Sequence, residues 1–159
     1  MAGGGVGFKM VGGRKKRVLA SGVFDLVHLG HALFLRDAKK AGGRGAKLIV
    51  VVARDSTVKR LKRSPPILPE ETRRGLVEAL KPVDKAVLGS DRFDVLGIIR
   101  KYKPDIIALG YDQDSVAKIV ERHIKMEKLP VKVVRIKKFE KEALNSSTDI
   151  KHKIARSIR

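Results

Sequence analysis

Two of the chain's four histidines, His28 and His31, stand three residues apart and enclose Leu29 and Gly30. In a chain of this composition an H-x-G-H element arises by chance about once in a hundred sequences, and Phe24-Asp25 ahead of it lower that by roughly a few hundredfold. These residue types suit the handling of phosphate. Gly30 has no Cβ, so a phosphate can approach the backbone closely. A helix starting here would present unpaired N–H groups and the positive end of its dipole. The two imidazoles can donate N–H bonds to phosphate oxygens that gain charge during a transfer. A lone histidine is more simply a cap or a core residue; the pair, the glycine and a strand-to-helix setting together favour function.

That setting follows from the pattern around the motif. Short apolar runs at 18–20, 48–53, 85–88, 105–109 and 131–136 read as five buried strands. Helices are expected between them over 32–40, 57–61, 70–80, 95–101 and 116–128, with a last helix over 147–158. In the fifth, Val116, Ile119, Val120 and Ile124 share one face, while Lys118, Glu121, Arg122 and Lys125 form the wet one. Strand and helix in alternation predict βαβ units with right-handed crossovers, hence an α/β domain on a parallel sheet. Ligands of such sheets lie beyond the carboxyl ends of the strands, and the motif stands just after the first. Residues 1–16, with six glycines and a basic cluster, are expected to be a flexible extension, and residues 17–159 a single domain.

Composition narrows the function classes. A length of 159 residues suits one core. The excess of 36 Lys and Arg over 17 Asp and Glu gives a net charge of +19, which raises nucleic acid as a partner class. Aromatics are only 4%, however, and are scattered without a basic stripe or reading helix, so nucleic acid is not expected as a specific partner. The absence of cysteine removes disulfides, thiolate metal sites and a cysteine nucleophile, and makes a cytoplasmic location the simplest expectation. No apolar run approaches the roughly 20 residues of a membrane helix, so no membrane partner is expected.

The Phe24-Asp25 and His28-Leu29-Gly30-His31 elements resemble the HxGH nucleotidyltransferase superfamily, which includes the glycerol-phosphate and choline-phosphate cytidylyltransferases. The stretches 53–59, 66–74, 77–85 and 104–113 look most like the archaeal FAD synthases, and the resemblance spans 17–159. It implies a Rossmann-like, doubly wound sheet of about five parallel strands with flanking helices. It also implies that Val23, Phe24, His28, Leu29, Gly30 and His31 contact the nucleotide, with His28 and His31 on its phosphates. Lys62 and Arg73 would serve catalysis beside the acceptor phosphate, and Asp112 would touch the nucleotide after the fourth strand. Ser146, Ser147 and Thr148 match the family's second motif, usually Ile-Ser-Ser-Thr, with Asn145 in place of the leading Ile. Phe139 would stack on a base or flavin ring. Each has a plainer reading: Lys62 on a solvated basic face, Arg73 paired with Glu70 along its helix, Asp112 in a turn, the serines as caps, Phe139 in packing.

The chemistry so implied is adenylyl transfer from ATP to the phosphate of FMN, giving FAD and pyrophosphate. Phosphate is already a nucleophile at neutral pH, so positioning and charge stabilisation suffice. A divalent cation, Mg²⁺, is expected on the triphosphate, since this ion usually takes one or two carboxylates plus substrate phosphates. Its protein ligands are not assigned; Asp25 is the nearest carboxylate and can equally order the turn. A CTP-dependent cytidylyltransferase acting on a phospho-alcohol such as glycerol 3-phosphate shares the HxGH element and stays open, because that element reads the triphosphate. Related nucleotidyltransferases are often dimers, so a homodimer is also open.

Overall fold

The runs rich in Val, Ile, Leu and Ala pair as one parallel sheet: β1 (Arg17–Gly22), β2 (Lys47–Val52), β3 (Lys85–Leu88), β4 (Ile106–Gly110) and β5 (Lys132–Ile136), in the order β3-β2-β1-β4-β5. This computed structural model describes residues 13–139 and 146–158. The expected extension therefore falls mostly outside the described residues, as does Asn145. The helices are α1 (Leu29–Ala41), α2 (Asp55–Lys62), α3 (Glu70–Glu78), α4 (Val95–Tyr102), α5 (Asp114–Met126) and α6 (Ser147–Ser157). Among the described residues no helix is long and apolar enough to cross a membrane.

Side chains alternate across the strands, so the sheet has a core on each face. Val18, Ala20, Val50 and Ala108 pack towards Leu35 of α1 and Val77 of α3. Leu19, Val51, Ile107 and Leu109 pack towards Ile99 of α4 and Ala117 and Val120 of α5. All five residues of β4 are buried, as expected of a strand covered on both faces. β1 runs two residues beyond its expected end, because Ser21 and Gly22 continue the ladder opposite Val51 and Val52. That extension brings the following turn to the carboxyl edge of the sheet. α1 also starts earlier than its apolar pattern suggests, at Leu29, directly after His28.

One polar group ties this edge together. Arg73 of α3 is 0% exposed, and its guanidinium donates to the carbonyls of Leu68 (2.9 Å), Val23 (2.6 Å) and Ala53 (2.7 Å) and to the Asp55 carboxylate (2.6 Å). A buried charge is tolerated when its donors are satisfied, and the planar fork can reach partners on several edges at once. Lysine cannot reproduce this geometry. Arg73→Lys is expected to destabilise the fold by about 3 kcal/mol or more, read as a lower urea midpoint; an unchanged midpoint would contradict the clamp.

Candidate active site

After Gly22 the chain turns into α1 within six residues, and Phe24 and Leu26 both adopt positive φ, 53° and 51°. Each non-glycine residue in that region costs about 1–2 kcal/mol, so the turn must be held from outside. The Phe24 ring is buried and folds back on the strand end; a Cβ at Gly22 would lie 2.9 Å from it, which is why glycine stands there. Arg73 holds the Val23 carbonyl. Asp25, only 4% exposed, accepts the N–H groups of Ile67 (3.0 Å) and Leu68 (3.1 Å) and pairs with Lys151 of α6 at 2.8 Å. Burial works against its charge, but Lys151 and the two N–H groups outweigh burial and hold the carboxyl below its ordinary value. Ser147 of α6 donates its hydroxyl to the Asp25 carbonyl.

The histidines are set by this turn. His28 is the N-cap residue of α1, with no side-chain cap; its carbonyl accepts the N–H groups of His31 and Ala32. The two imidazoles stack with centroids 3.8 Å apart at 27°, and His31 meets the Phe24 ring edge-on at 5.2 Å. Nδ1 of each is buried without a hydrogen-bond partner. Burial first, then the positive neighbours His28 and Lys62, push His31 down to about 4. Burial also lowers His28, against the opposing pull of Asp149. Both rings are therefore largely neutral at pH 7.

The pair opens on a cleft of about 1060 Å³ beyond β1 and β4, the point where the strand order reverses. The cleft brings together most of the expected residues: Val23, Phe24, His28, Gly30, His31, Lys62, Asp112, Phe139, Ser146, Ser147 and Thr148 all line it. The N-termini of α1 and α6 both border it, and each offers backbone N–H groups to an anion. Ser146 is also the N-cap of α6, accepting the Asp149 N–H at 3.1 Å. Asp112 is exposed in the β4–α5 turn. That turn is held by Gln113, which accepts the Gly110 N–H at 2.7 Å and donates to the Ser21 carbonyl at 3.0 Å.

Two expected site residues stand elsewhere. Arg73 does not line the cleft: it is sealed beneath the turn with its donors committed to three carbonyls and Asp55, so it positions the site and does not meet an acceptor phosphate. Nor does it pair with Glu70, which instead binds Arg54 and the Asp55 N–H. Leu29 is 43% exposed and also lies outside the lining. Successive helical side chains point about 100° apart, so a residue between two inward histidines faces solvent. Lys151 and Gln113 were not expected. Lys151 follows Ser147 by four residues, a spacing that places both on one face of α6 and could have revealed it.

Among the described residues no group of three or more His, Asp and Glu is placed to hold a metal ion. Asp25, the nearest carboxylate, is occupied by Lys151 and two backbone N–H groups. The donor set among the described residues does not build a resident metal site.

Comparison with known proteins shows the family. The model of the cytidylyltransferase-like family matches residues 19–153. The chain is 50% identical over 135 residues to an FAD synthase from Methanopyrus kandleri, covering 85% of this chain and 89% of that protein. It is 51% identical over 138 residues to an FAD synthase from Aciduliprofundum boonei, covering 87% and 89%. Among solved structures, a lipopolysaccharide core biosynthesis protein from Thermoplasma volcanium superposes with a TM-score of 0.70 at 44% identity, over 79% of this chain and 98% of that one. Pantothenate synthetase from Thermus thermophilus shares the fold, with a TM-score of 0.58 at 14% identity, over 82% of this chain and 59% of that one. The chain thus belongs to the cytidylyltransferase-like family, and it is a nucleotidyltransferase.

Proposed function

We infer that the chain is an FAD synthase that transfers AMP from ATP to the phosphate of FMN. The stacked His28–His31 pair beside the N-termini of two helices supports nucleotidyl transfer, and the 50–51% identity to archaeal FAD synthases over most of the chain is the observation that carries the choice of ATP and FMN. An FMN phosphate oxygen attacks the α-phosphorus of ATP, forming the new P–O bond. The bond from that phosphorus to the bridging oxygen breaks, and pyrophosphate leaves. No general base is required, because the attacking group is already an anion.

The side chains divide this work. His28 and His31 donate N–H bonds to triphosphate oxygens, with the greatest gain as the α-phosphate and leaving pyrophosphate accumulate charge. Gly30 gives the triphosphate close access to the helix N-terminus. Val23 and Phe24 flank the nucleotide, Asp112 contacts its nucleoside portion, and Phe139 offers a face for stacking. Ser146, Ser147 and Thr148 bring the N-terminus of α6 to the phosphates. Lys62 counters repulsion between the two anionic substrates. A divalent cation, Mg²⁺, would enter with the triphosphate of ATP and offset its charge, with no protein ligand assigned to it. The reading assigns the enzyme to the cytoplasm.

Incubating the protein with MgATP and FMN is expected to yield FAD and pyrophosphate, while CTP with glycerol 3-phosphate yields no nucleotidyl product. Failure of FAD to form would refute the assignment. His31→Asn should lower kcat/KM by about 10²–10³-fold while the fold is retained by circular dichroism; normal turnover would remove His31 from the mechanism.

The low proton affinity of His31 also predicts an acid sensitivity. Its pKa falls from 6.5 in the unfolded chain to about 4 in the folded one, so the unfolded state binds the proton first as the pH drops. The contribution is intact above pH 6.5 and is lost as pH falls from 6.5 towards 4. Urea midpoints measured across that window should decline in the wild type, and less steeply in His31→Asn.

A further inference from the structure

The central ladder of the sheet stops short of its outer ones. β1 pairs with β2 through Gly22 and β4 pairs with β5 through Gly110, yet β1 and β4 pair with each other only as far as Ala20 and Ala108. The two strands therefore separate over their last two residues, at the switch point where the cleft begins.

One side chain fills the gap. In a parallel ladder a carbonyl accepts the N–H one residue beyond its opposite number, and the register, continued by one residue, sets Ser21 opposite Leu109. A further rung would thus join the Ser21 carbonyl to the Gly110 N–H. Instead the carboxamide of Gln113 lies between them: Oε1 accepts the Gly110 N–H at 2.7 Å and Nε2 donates to the Ser21 carbonyl at 3.0 Å. It acts as an inserted peptide group that satisfies both strands while holding them apart.

The surrounding turn is built for this placement. A Cβ on Gly110 would stand 3.1 Å from Oδ1 of Asp112 and 3.4 Å from Oε1 of Gln113, so glycine lets the turn fold back on the strand end. From β5, Arg135 donates to the carbonyls of Tyr111 and Gln113, both at 3.1 Å, and pairs with Asp114. Gln113 thus ties the turn that carries Asp112 to β1, which leads into the histidine turn.

We propose that Gln113 is a positioning residue: its carboxamide fixes the width of the split between β1 and β4, and with it the span from the His28–His31 pair to Asp112 that a bound nucleotide must fill. The proposal rests on the reading of this cleft as the ATP site and adds the group that sets its span. Gln113 takes no part in bond making.

A carboxamide is donor and acceptor at every pH. A carboxyl of the same shape is both only when protonated; ionised, it faces the Ser21 carbonyl with no proton to offer. Desolvation, Asp112 and Asp114 would oppose ionisation of a glutamate placed here, while Arg135, which would favour it, is committed to Asp114.

The test compares Gln113→Glu and Gln113→Leu with the wild type from about pH 5.5 to 8.5, where His31 stays largely neutral, with folding checked by circular dichroism. MgATP is titrated by calorimetry without an acceptor, and FAD formation is followed while ATP and FMN are varied separately. Gln113→Leu is expected to raise the MgATP Kd and KM for ATP about tenfold at every pH, because binding must then supply the ordering that the amide provided. KM for FMN should stay within about twofold. Gln113→Glu should match Gln113→Leu at the alkaline end and recover about threefold or more towards the wild type at the acid end.

Unchanged MgATP affinity in both variants overturns the proposal. So do equal rises in both KM values, or a Gln113→Glu defect that does not change with pH relative to the wild type. If Gln113→Leu fails to fold, the pH course of Gln113→Glu decides; if neither folds, the role is structural and the proposal falls. If the wild type binds MgATP but forms no FAD, the FAD synthase reading fails while the Kd comparison still decides Gln113. A wild type that binds no MgATP refutes the positioning role.

Discussion

The placement of the site depends on a buried guanidinium. Arg73 joins four stretches of chain that are distant in sequence: the turn after β1, the end of β2, the start of α2 and the loop before α3. The β1 turn ends at His28 and places His31 of α1, and α2 carries Lys62. The relation between the paired imidazoles and the cation on α2 is thus set by one side chain that lies outside the cleft. Burying the charge is costly, and the cost is offset only because its donors find three carbonyls and a carboxylate. An apolar side chain of similar volume would leave those three carbonyls unpaired at the edge that borders the cleft.

Asp25 performs the matching task from the other side. Its carboxylate binds the loop at Ile67 and Leu68 and reaches Lys151 of α6, while its carbonyl receives Ser147. α6 contributes no fully buried residue, so these polar ties carry much of its attachment. They also set where its N-terminus lies relative to that of α1. The left-handed Phe24 and Leu26 flank Asp25, and their strain is sustained because Arg73 and Asp25 fix the chain on either side.

All five strands and six helices are legible from apolar spacing, because period and length report what a parallel sheet buries on both faces. Most of the cleft is legible too, since the HxGH element and the Ser146–Thr148 hydroxyls follow the ends of particular strands. Arg73 departs from expectation for a physical reason. Arginine in a phosphate-handling family suggests an exposed cation, and nothing local reveals that three carbonyls from other segments converge on it. Leu29 departs because a contiguous motif is not a contiguous surface once it is wound into a helix. Lys151 is hidden in the sequence because its partner lies 126 positions earlier in the chain, a pairing that only the fold creates.

The net charge of +19 has a local counterpart that is far more selective. Around the cleft, Arg54, Arg135 and Lys151 are committed to Glu70, Asp114 and Asp25, and they serve to hold loops and α6 in place. Among the described residues Lys62 and the cleft-lining Lys137 and Lys138 have no such ion pair, and the field of Lys62 helps to lower the proton affinity of His31. Directed N–H donors on the imidazoles and at two helix N-termini can meet charge as it develops on a triphosphate, whereas full cations bind it in the ground state as well. A site that binds the ground state less strongly leaves more of its interaction energy for the transition state, where charge gathers on the α-phosphate and the departing pyrophosphate. On the proposed reading, burial of the histidines serves the transfer by holding them as directed N–H donors, while Lys62 on α2 faces the second anion.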